Sequence, residues 1–213
     1  PIVSLGVDGD GPLDLDLAID GPHVLVAGTT GAGKSELLRS LVAGLAAGAD
    51  PDRLAFVLVD FKGGSAFDAC AGLPHVAGLV TDLDARLAAR ALRGLDAEIR
   101  RREAVLAGAG VEDLGALRRR AEPLDEPMPR LVVVVDEYAT LAAQLPDFVD
   151  ALVDVARRGR SLGFHLVLAT QRPGGSVGEN LRANTGLRIA LRVHAATDST
   201  DVVDDPGAAA LPR

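Results

Sequence analysis

Apolar and polar residues change their spacing several times along the chain, and each change marks an element. Leu13, Leu15, Leu17 and Ile19 alternate with Asp14, Asp16, Ala18 and Asp20, a period of two that predicts a half-exposed strand with an acidic outer face. His23 to Ala27 is a short apolar run that stops at a glycine-rich turn, after which Lys34 to Ala47 carries leucines and a valine at helical spacing. A second buried strand is predicted from Leu54 to Val59, ending at Asp60, and a short third from Val76 to Val80. The alanine- and arginine-rich stretch from Leu83 to Leu106 predicts a long helix closed by Gly108 and Gly110. Prolines and charges between Val111 and Arg130 predict a short helix and a connection. Leu131 to Val135 is uninterruptedly apolar, as expected of a strand buried on both faces of a parallel sheet. Asp147 to Leu162 has helical periodicity, Phe164 to Ala169 is strand-like, and Leu187 to Val193 is a last strand in which Arg188 and Arg192 alternate with apolar residues. Strands alternating with helices predict an α/β fold, a mostly parallel sheet flanked by helices. With no internal repeat or boundary, residues 1–213 are expected to form a single domain in which 1–20 supply an N-terminal strand and turn.

Composition narrows the chemistry. The 213 residues are 48% apolar, enough for one mid-sized core. Acidic residues outnumber basic ones 30 to 22, a net charge of -8, so the surface does not coat nucleic acid by charge alone and any polyanion must be gripped locally. The lone cysteine, Cys70, excludes a disulfide framework and a thiolate zinc site. No apolar run reaches the length of a membrane span and no signal-peptide pattern is present, so a cytoplasmic setting is expected, with any contact to the membrane's cytoplasmic face made by segments outside this chain. Opening at Pro1, with Met128 its sole methionine, the chain is expected to be a piece of a longer protein. All but two of the basic residues are arginine; the two lysines, Lys34 and Lys62, each stand beside glycine.

Lys34 belongs to Gly28-Thr29-Thr30-Gly31-Ala32-Gly33-Lys34-Ser35, which fits G-x-x-x-x-G-K-[ST] between a predicted strand and a predicted helix. Thr29 to Ser35 are therefore expected to bind nucleotide phosphates. The glycines let backbone N–H groups converge on an anion at a helix N-terminus, Lys34 adds a point charge, and the Ser35 hydroxyl can hold Mg²⁺. Asp136 and Glu137 close the apolar run from Leu131. Asp136 suits the metal and Glu137 suits the general base that activates water, an adjacent pair typical of RecA-like P-loop ATPases of the ASCE type. Gln171 ends the Leu166–Thr170 run at another strand terminus, where an amide can sense the γ-phosphate; in RecA-like topology that strand lies between the phosphate-loop strand and the Asp136 strand.

With these residues in place the sequence resembles the FtsK/SpoIIIE motor family, including the EccC/EssC ATPases of type VII secretion. The resemblance runs from about Leu17 to the end and also rests on Asp60-Phe61-Lys62-Gly63-Gly64, Leu73-Pro74-His75, Gly163-Phe164-His165 and Thr170-Gln171-Arg172-Pro173. The Asp-Phe-Lys-Gly-Gly form with Leu-Pro-His downstream looks more like the secretion ATPases than the DNA pumps. The resemblance implies an ATP- and Mg²⁺-dependent translocase domain that moves protein or double-stranded DNA. It also implies assembly as a homo-oligomeric, hexameric ring or as tandem ATPase domains. It places an arginine finger at Arg160, which reaches a neighbour's γ-phosphate, with Arg157 and Arg158 as nearby substitutes; Lys62 lies where it could approach nucleotide or a subunit interface. A different reading is a docking or regulatory module that binds ATP with little turnover and recruits a protein.

Other clusters carry less. Asp8 and Asp10 lack EF-hand spacing, and His23, His75, His165 and His194 lack paired metal spacing. His165 reads as a hydrogen-bonded core histidine. The Arg100–Arg102 and Arg118–Arg120 runs alternate with acidic neighbours and lack aromatics, so they are expected to be solvated helix faces; Arg188 and Arg192, at period-two spacing on the last strand, could line an interface or a channel, and a solvated strand face is the expectation.

Overall fold

A computed structural model describes residues 1–60, 66–81, 85–120, 126–172 and 179–212. Lys62 and Pro173 lie outside the described residues. Six strands, β3 (His23–Ala27), β4 (Leu54–Asp60), β5 (Val76–Val80), β6 (Arg130–Asp136), β7 (Phe164–Thr170) and β8 (Leu187–Ala190), form a parallel sheet in the order β5-β4-β6-β7-β3-β8. β7 therefore sits between β3 and β6, as the RecA-like reading requires. The strand bounds match the apolar runs to within a residue except at β8, which stops at Ala190. Beyond it the chain turns so that the Arg192 carbonyl accepts from both the backbone N–H and the hydroxyl of Thr29, at 3.0 and 3.1 Å.

The central strands are buried on both faces, which is why they read as unbroken apolar runs. On one face Val24, Val26, Val132, Val134 and Val167 pack against α1 (Lys34–Ala47) through Leu38, Leu41 and Leu45. On the other, Leu25, Val133, Val135, Leu166 and Leu168 meet α2 (Ala85–Gly108), α3 (Leu114–Arg119), α4 (Tyr138–Gln144) and α5 (Pro146–Leu162). In α5 the residues Phe148, Leu152, Val155, Ala156, Gly159 and Leu162 form one buried stripe. α6 (Glu179–Asn184) and α7 (Ala196–Val203) flank β8 in sequence.

The N-terminal segment is a hairpin where one strand was expected: β1 (Ile2–Asp8) pairs antiparallel with β2 (Gly11–Asp16) in a separate two-stranded sheet. Asp8 Oδ1 closes its turn by accepting from the N–H groups of Asp10 and Gly11. The expected strand stops at Asp16 because Asp16 and Asp20 fold the next residues into a turn: Asp20 Oδ2 accepts from Asp16 N at 2.7 Å, and Asp16 Oδ1 accepts from Ala18 N at 2.8 Å. The hairpin lies on α1 at Gly44, where Val3 occupies the space a side chain would need.

The basic runs correct the sequence reading at Arg102 and at Arg118, which is half-buried and donates to the carbonyls of Arg53 and Met128. Arg100 and Arg101 pair with Asp96 and Glu98 at the surface, but Arg102 is only 1% exposed. Its guanidinium lies 4.6 Å over the Phe164 ring, donates to the carbonyls of Leu162 and Pro129 at 2.8 and 2.7 Å, and pairs with Glu98 at 2.7 Å. The signal was present: Arg102 shares the apolar stripe of Leu95, Ile99 and Leu106. Arg188, by contrast, is tied at 2.8 Å to Asp204, which follows α7.

Candidate active site

The carboxyl ends of β3, β4, β6 and β7 lie side by side, the place where open parallel sheets hold ligands. The turn from β3 into α1 has the shape of a phosphate cradle. Gly31 and Gly33 adopt φ of 78° and 90°, conformations that glycine reaches without a side-chain clash. The α1 N-terminus follows at Lys34, so the first-turn N–H groups and the positive end of the helix dipole face the loop.

Lys34 is buried, and its Nζ forms an ion pair with Asp136 Oδ1. Ser35 Oγ donates to the other carboxylate oxygen, Oδ2, at 3.3 Å. The lysine of the cradle, the hydroxyl and the carboxylate predicted to share a metal are thus gathered at one point. The donor set fits Mg²⁺, which takes oxygen ligands and commonly one or two from protein with the rest from phosphate and water.

Glu137 follows at the N-cap of α4. It is 3% exposed and has φ 64° and ψ 49°, left-handed values that cost a non-glycine residue about 1 kcal/mol or more and concentrate at functional sites. Gln171 stands just beyond β7. Its Oε1 accepts from Thr30 Oγ1 at 2.8 Å, which leaves the amide NH₂ as a donor and ties the end of β7 to the phosphate loop. Gly28 N donates to Thr170 O at 3.2 Å, a second tie between the same two strands.

Two contributors were not anticipated. Asp60, buried at the end of β4, is the register partner of Asp136 and accepts from Ala66 N at 2.9 Å; an acid closing a clean apolar run was the available signal. The Arg192 carbonyl braces Thr29 from beyond β8, and no side-chain pattern announces a carbonyl. Arg160 is not part of this cluster. It is exposed in the last turn of α5, whose C-terminus leads into the start of β7 at the opposite, amino edge of the sheet. Among the described residues no helix is long and apolar enough to cross a membrane, and no group of three or more His, Cys, Asp or Glu side chains could hold a metal on its own.

Two histidines fix the amino edge. His23 Nε2 faces the Ala156 carbonyl at 2.8 Å while its Nδ1 accepts from Leu166 N at 3.1 Å, so the hydrogen bonds assign the proton to Nε2. Burial pushes its pKa down to about 4. His165, as anticipated, is a hydrogen-bonded core residue: Nδ1 meets the Pro22 carbonyl at 3.1 Å, and burial, with help from Arg130, pushes its pKa down to about 3.

The sequence profile of the FtsK/SpoIIIE family matches residues 2–175. The type VII secretion system protein EssC of Staphylococcus aureus is 42% identical over 212 residues, which cover 97% of this chain and 14% of EssC. The cytoplasmic domain of the Thermomonospora curvata type VII secretion ATPase EccC superposes with a TM-score of 0.89 at 41% identity, over 99% of this chain and 26% of that one. The pCW3 conjugation coupling protein TcpA, solved with ATPγS, superposes with a TM-score of 0.84 at 27% identity, over 100% of this chain and 60% of its own. The chain thus spans about a seventh of the length of the EssC it matches. Matched by that profile over most of its length, and superposing over 99% of it on the cytoplasmic domain of the EccC ATPase, the chain belongs to the FtsK/SpoIIIE family as an ATPase domain.

Proposed function

We propose that this domain binds ATP with Mg²⁺ and hydrolyses it to ADP and phosphate as one motor unit of a translocase, with protein as the cargo. The observation that carries the reading is the convergence of Lys34 and Ser35 on Asp136, next to a Gln171 tied to the phosphate loop. Similarity to EssC and EccC, both named for type VII secretion, favours protein over double-stranded DNA, and the net charge of -8 agrees with it.

In this mechanism Thr29 to Gly33 wrap the phosphates with backbone N–H groups, and Lys34 exchanges Asp136 for the β- and γ-phosphate oxygens. Ser35 and Asp136 hold the cation, which when bound draws charge from the phosphates. Glu137 takes a proton from the attacking water, and the Gln171 amide donates to the terminal phosphate and registers its loss. Arg160 stands too far along the sheet to serve its own site, so it acts on the nucleotide of a neighbouring copy or tandem domain, where its planar fork fits phosphate oxygens. The isolated domain accordingly binds nucleotide and turns it over slowly. A ring or tandem array is the assembly this requires, and in the full-length protein we place it at the cytoplasmic face of a membrane, anchored by segments outside this chain.

Multiple-turnover phosphate release tests the reading. Glu137→Gln keeps nucleotide affinity and loses hydrolysis by about 10²- to 10⁴-fold, the range of general-base catalysis; hydrolysis that survives the change removes Glu137 from its role. Stimulation by double-stranded DNA that falls steeply with salt would transfer the cargo assignment to DNA.

A further inference from the structure

The amino edge of the sheet carries charges that nucleotide binding at the phosphate loop does not use. A cleft of about 450 Å³ opens there, lined by Arg130, Arg157, Arg158 and Arg160 together with His165 and Asp113. Two of the arginines are compensated. Arg157 and Arg158 share Asp154 at 2.8 and 3.2 Å, and Arg158 also meets Glu103 at 2.7 Å. Arg130 and Arg160 have no carboxylate within ion-pairing distance among the described residues.

Arg130 is the more telling of the two, because it is half-buried at the first position of β6. Its NH1 lies 3.4 Å from His165 Nε2, and His165 gives its proton to the Pro22 side through Nδ1. The imidazole therefore orients the guanidinium as a neutral acceptor and leaves its charge intact. Asp16 and Asp113 act on Arg130 only from longer range, and the Asp113 carboxylate caps α3 by accepting from Ala116 N at 2.6 Å. Next along the edge, the Arg118 guanidinium donates to the carbonyls of Arg53 and Met128. Burial, then Arg130, Arg53 and Arg102, push its pKa down to about 10. Like charges are thus crowded on one edge of a chain whose net charge is -8. A desolvated guanidinium beside an open cleft, without a counter-charge, is stabilised by an incoming anion. Planar forks at base and rim suit phosphate oxygens, and two uncompensated charges suit an anion with several of them.

We infer that this cleft is an anion site separate from the phosphate loop, taking a phosphate oligoanion of the kind a nucleoside triphosphate carries, with Arg130 at its base and Arg160 at its rim. The anion reaches it either free in solution or on a nucleotide held by another ATPase domain. In the second case the site deepens the trans role proposed for Arg160 and rests on it, adding Arg130 as a fixed second contact.

Calorimetric titration of the dilute chain with tripolyphosphate counts the sites. The unaltered chain should take two equivalents, Lys34→Gln one, and Arg130→Gln/Arg160→Gln one. Arg160→Gln alone should weaken the equivalent that remains in Lys34→Gln by about ten-fold or more. Because Arg160 is exposed, that variant keeps the test intact even where Arg130→Gln unfolds, which a thermal melt detects. A second arm mixes Lys34→Gln with unaltered chain loaded with ATPγS and follows association by sedimentation velocity. Association abolished by Arg160→Gln assigns the anion to a neighbour's nucleotide, whereas tripolyphosphate binding without association assigns it to solution. The inference is overturned if Lys34→Gln shows neither event, or if either persists undiminished in the arginine variants. A Lys34→Gln chain that keeps both equivalents overturns the phosphate-loop reading instead, and the arginine variants still decide the cleft.

Discussion

Thr30 and Gln171 meet through a single hydrogen bond of 2.8 Å across the mouth of the site. An unrestrained glutamine amide samples many rotamers, so in the proposed mechanism this contact sets how often its NH₂ faces the terminal phosphate. Thr30→Val preserves shape and removes the donor. Since one such bond is worth about 0.5–1.5 kcal/mol, kcat should fall roughly 2- to 10-fold with little change in KM. A rise in KM at constant kcat would show that the bond serves ground-state binding instead. His23 and His165 support a prediction about pH. Both are held neutral by burial, at pKa values near 4 and 3, below the ordinary value of about 6.5. Above that value they cost nothing. As pH falls below it the unfolded chain takes up protons that the folded chain refuses, so stability is lost with falling pH. The slope approaches roughly 2.7 kcal/mol per pH unit when both contribute. Denaturant melts between pH 7 and pH 5 should show this loss, and His23→Gln should flatten it by about half.

At the scale of elements, α5 and β7 meet more closely than side chains allow at one point. A Cβ on Gly159 would lie 2.6 Å from the Phe164 Cβ, so glycine is required there by close approach. Gly163, with φ of 79°, ends the helix in a left-handed cap and leaves no room beside Leu114. Alanine is the better helix former by about 1 kcal/mol, yet Gly159→Ala should lower stability by about 1–3 kcal/mol through overpacking. A thermal melt checks this, and an unchanged or raised Tm would mean that α5 shifts without cost. Elements were legible in the sequence to the degree that both faces of a strand, or one stripe of a helix, were buried. β3, β6 and β7 announced themselves as unbroken apolar runs. β1 did not, because of its seven residues only Val3 is buried. Arg102 was misread for a related reason, since a charge on an apolar stripe looks solvated until Phe164 and two carbonyls arrive from distant parts of the chain.

For the molecule as a whole, charge separates along the strands: Asp60, Asp136 and Glu137 gather at the carboxyl edge, and Arg118, Arg130 and Arg160 at the amino edge. The motif residues of the carboxyl edge were readable because a phosphate loop and an acidic pair have fixed local spacing. The amino-edge cleft was not, because its arginines come from two elements joined only by the fold. If Arg160 acts in trans, mixing a Lys34→Gln chain with an Arg160→Ala chain should restore part of the phosphate release that each lacks alone, increasingly so with protein concentration. No recovery at any ratio would mean that each domain works by itself. The position of β7 has a further consequence, for the order of folding. Its two neighbours, β3 and β6, are both made earlier in the chain but do not touch each other in the sheet. As the chain leaves the ribosome, β5, β4 and β6 can assemble as one body while β3 and its phosphate loop wait outside it. The arrival of residues 164–170 fills the gap between β3 and β6, so the strand pairing that fixes the phosphate loop beside Asp136 is completed in the same step that closes the sheet.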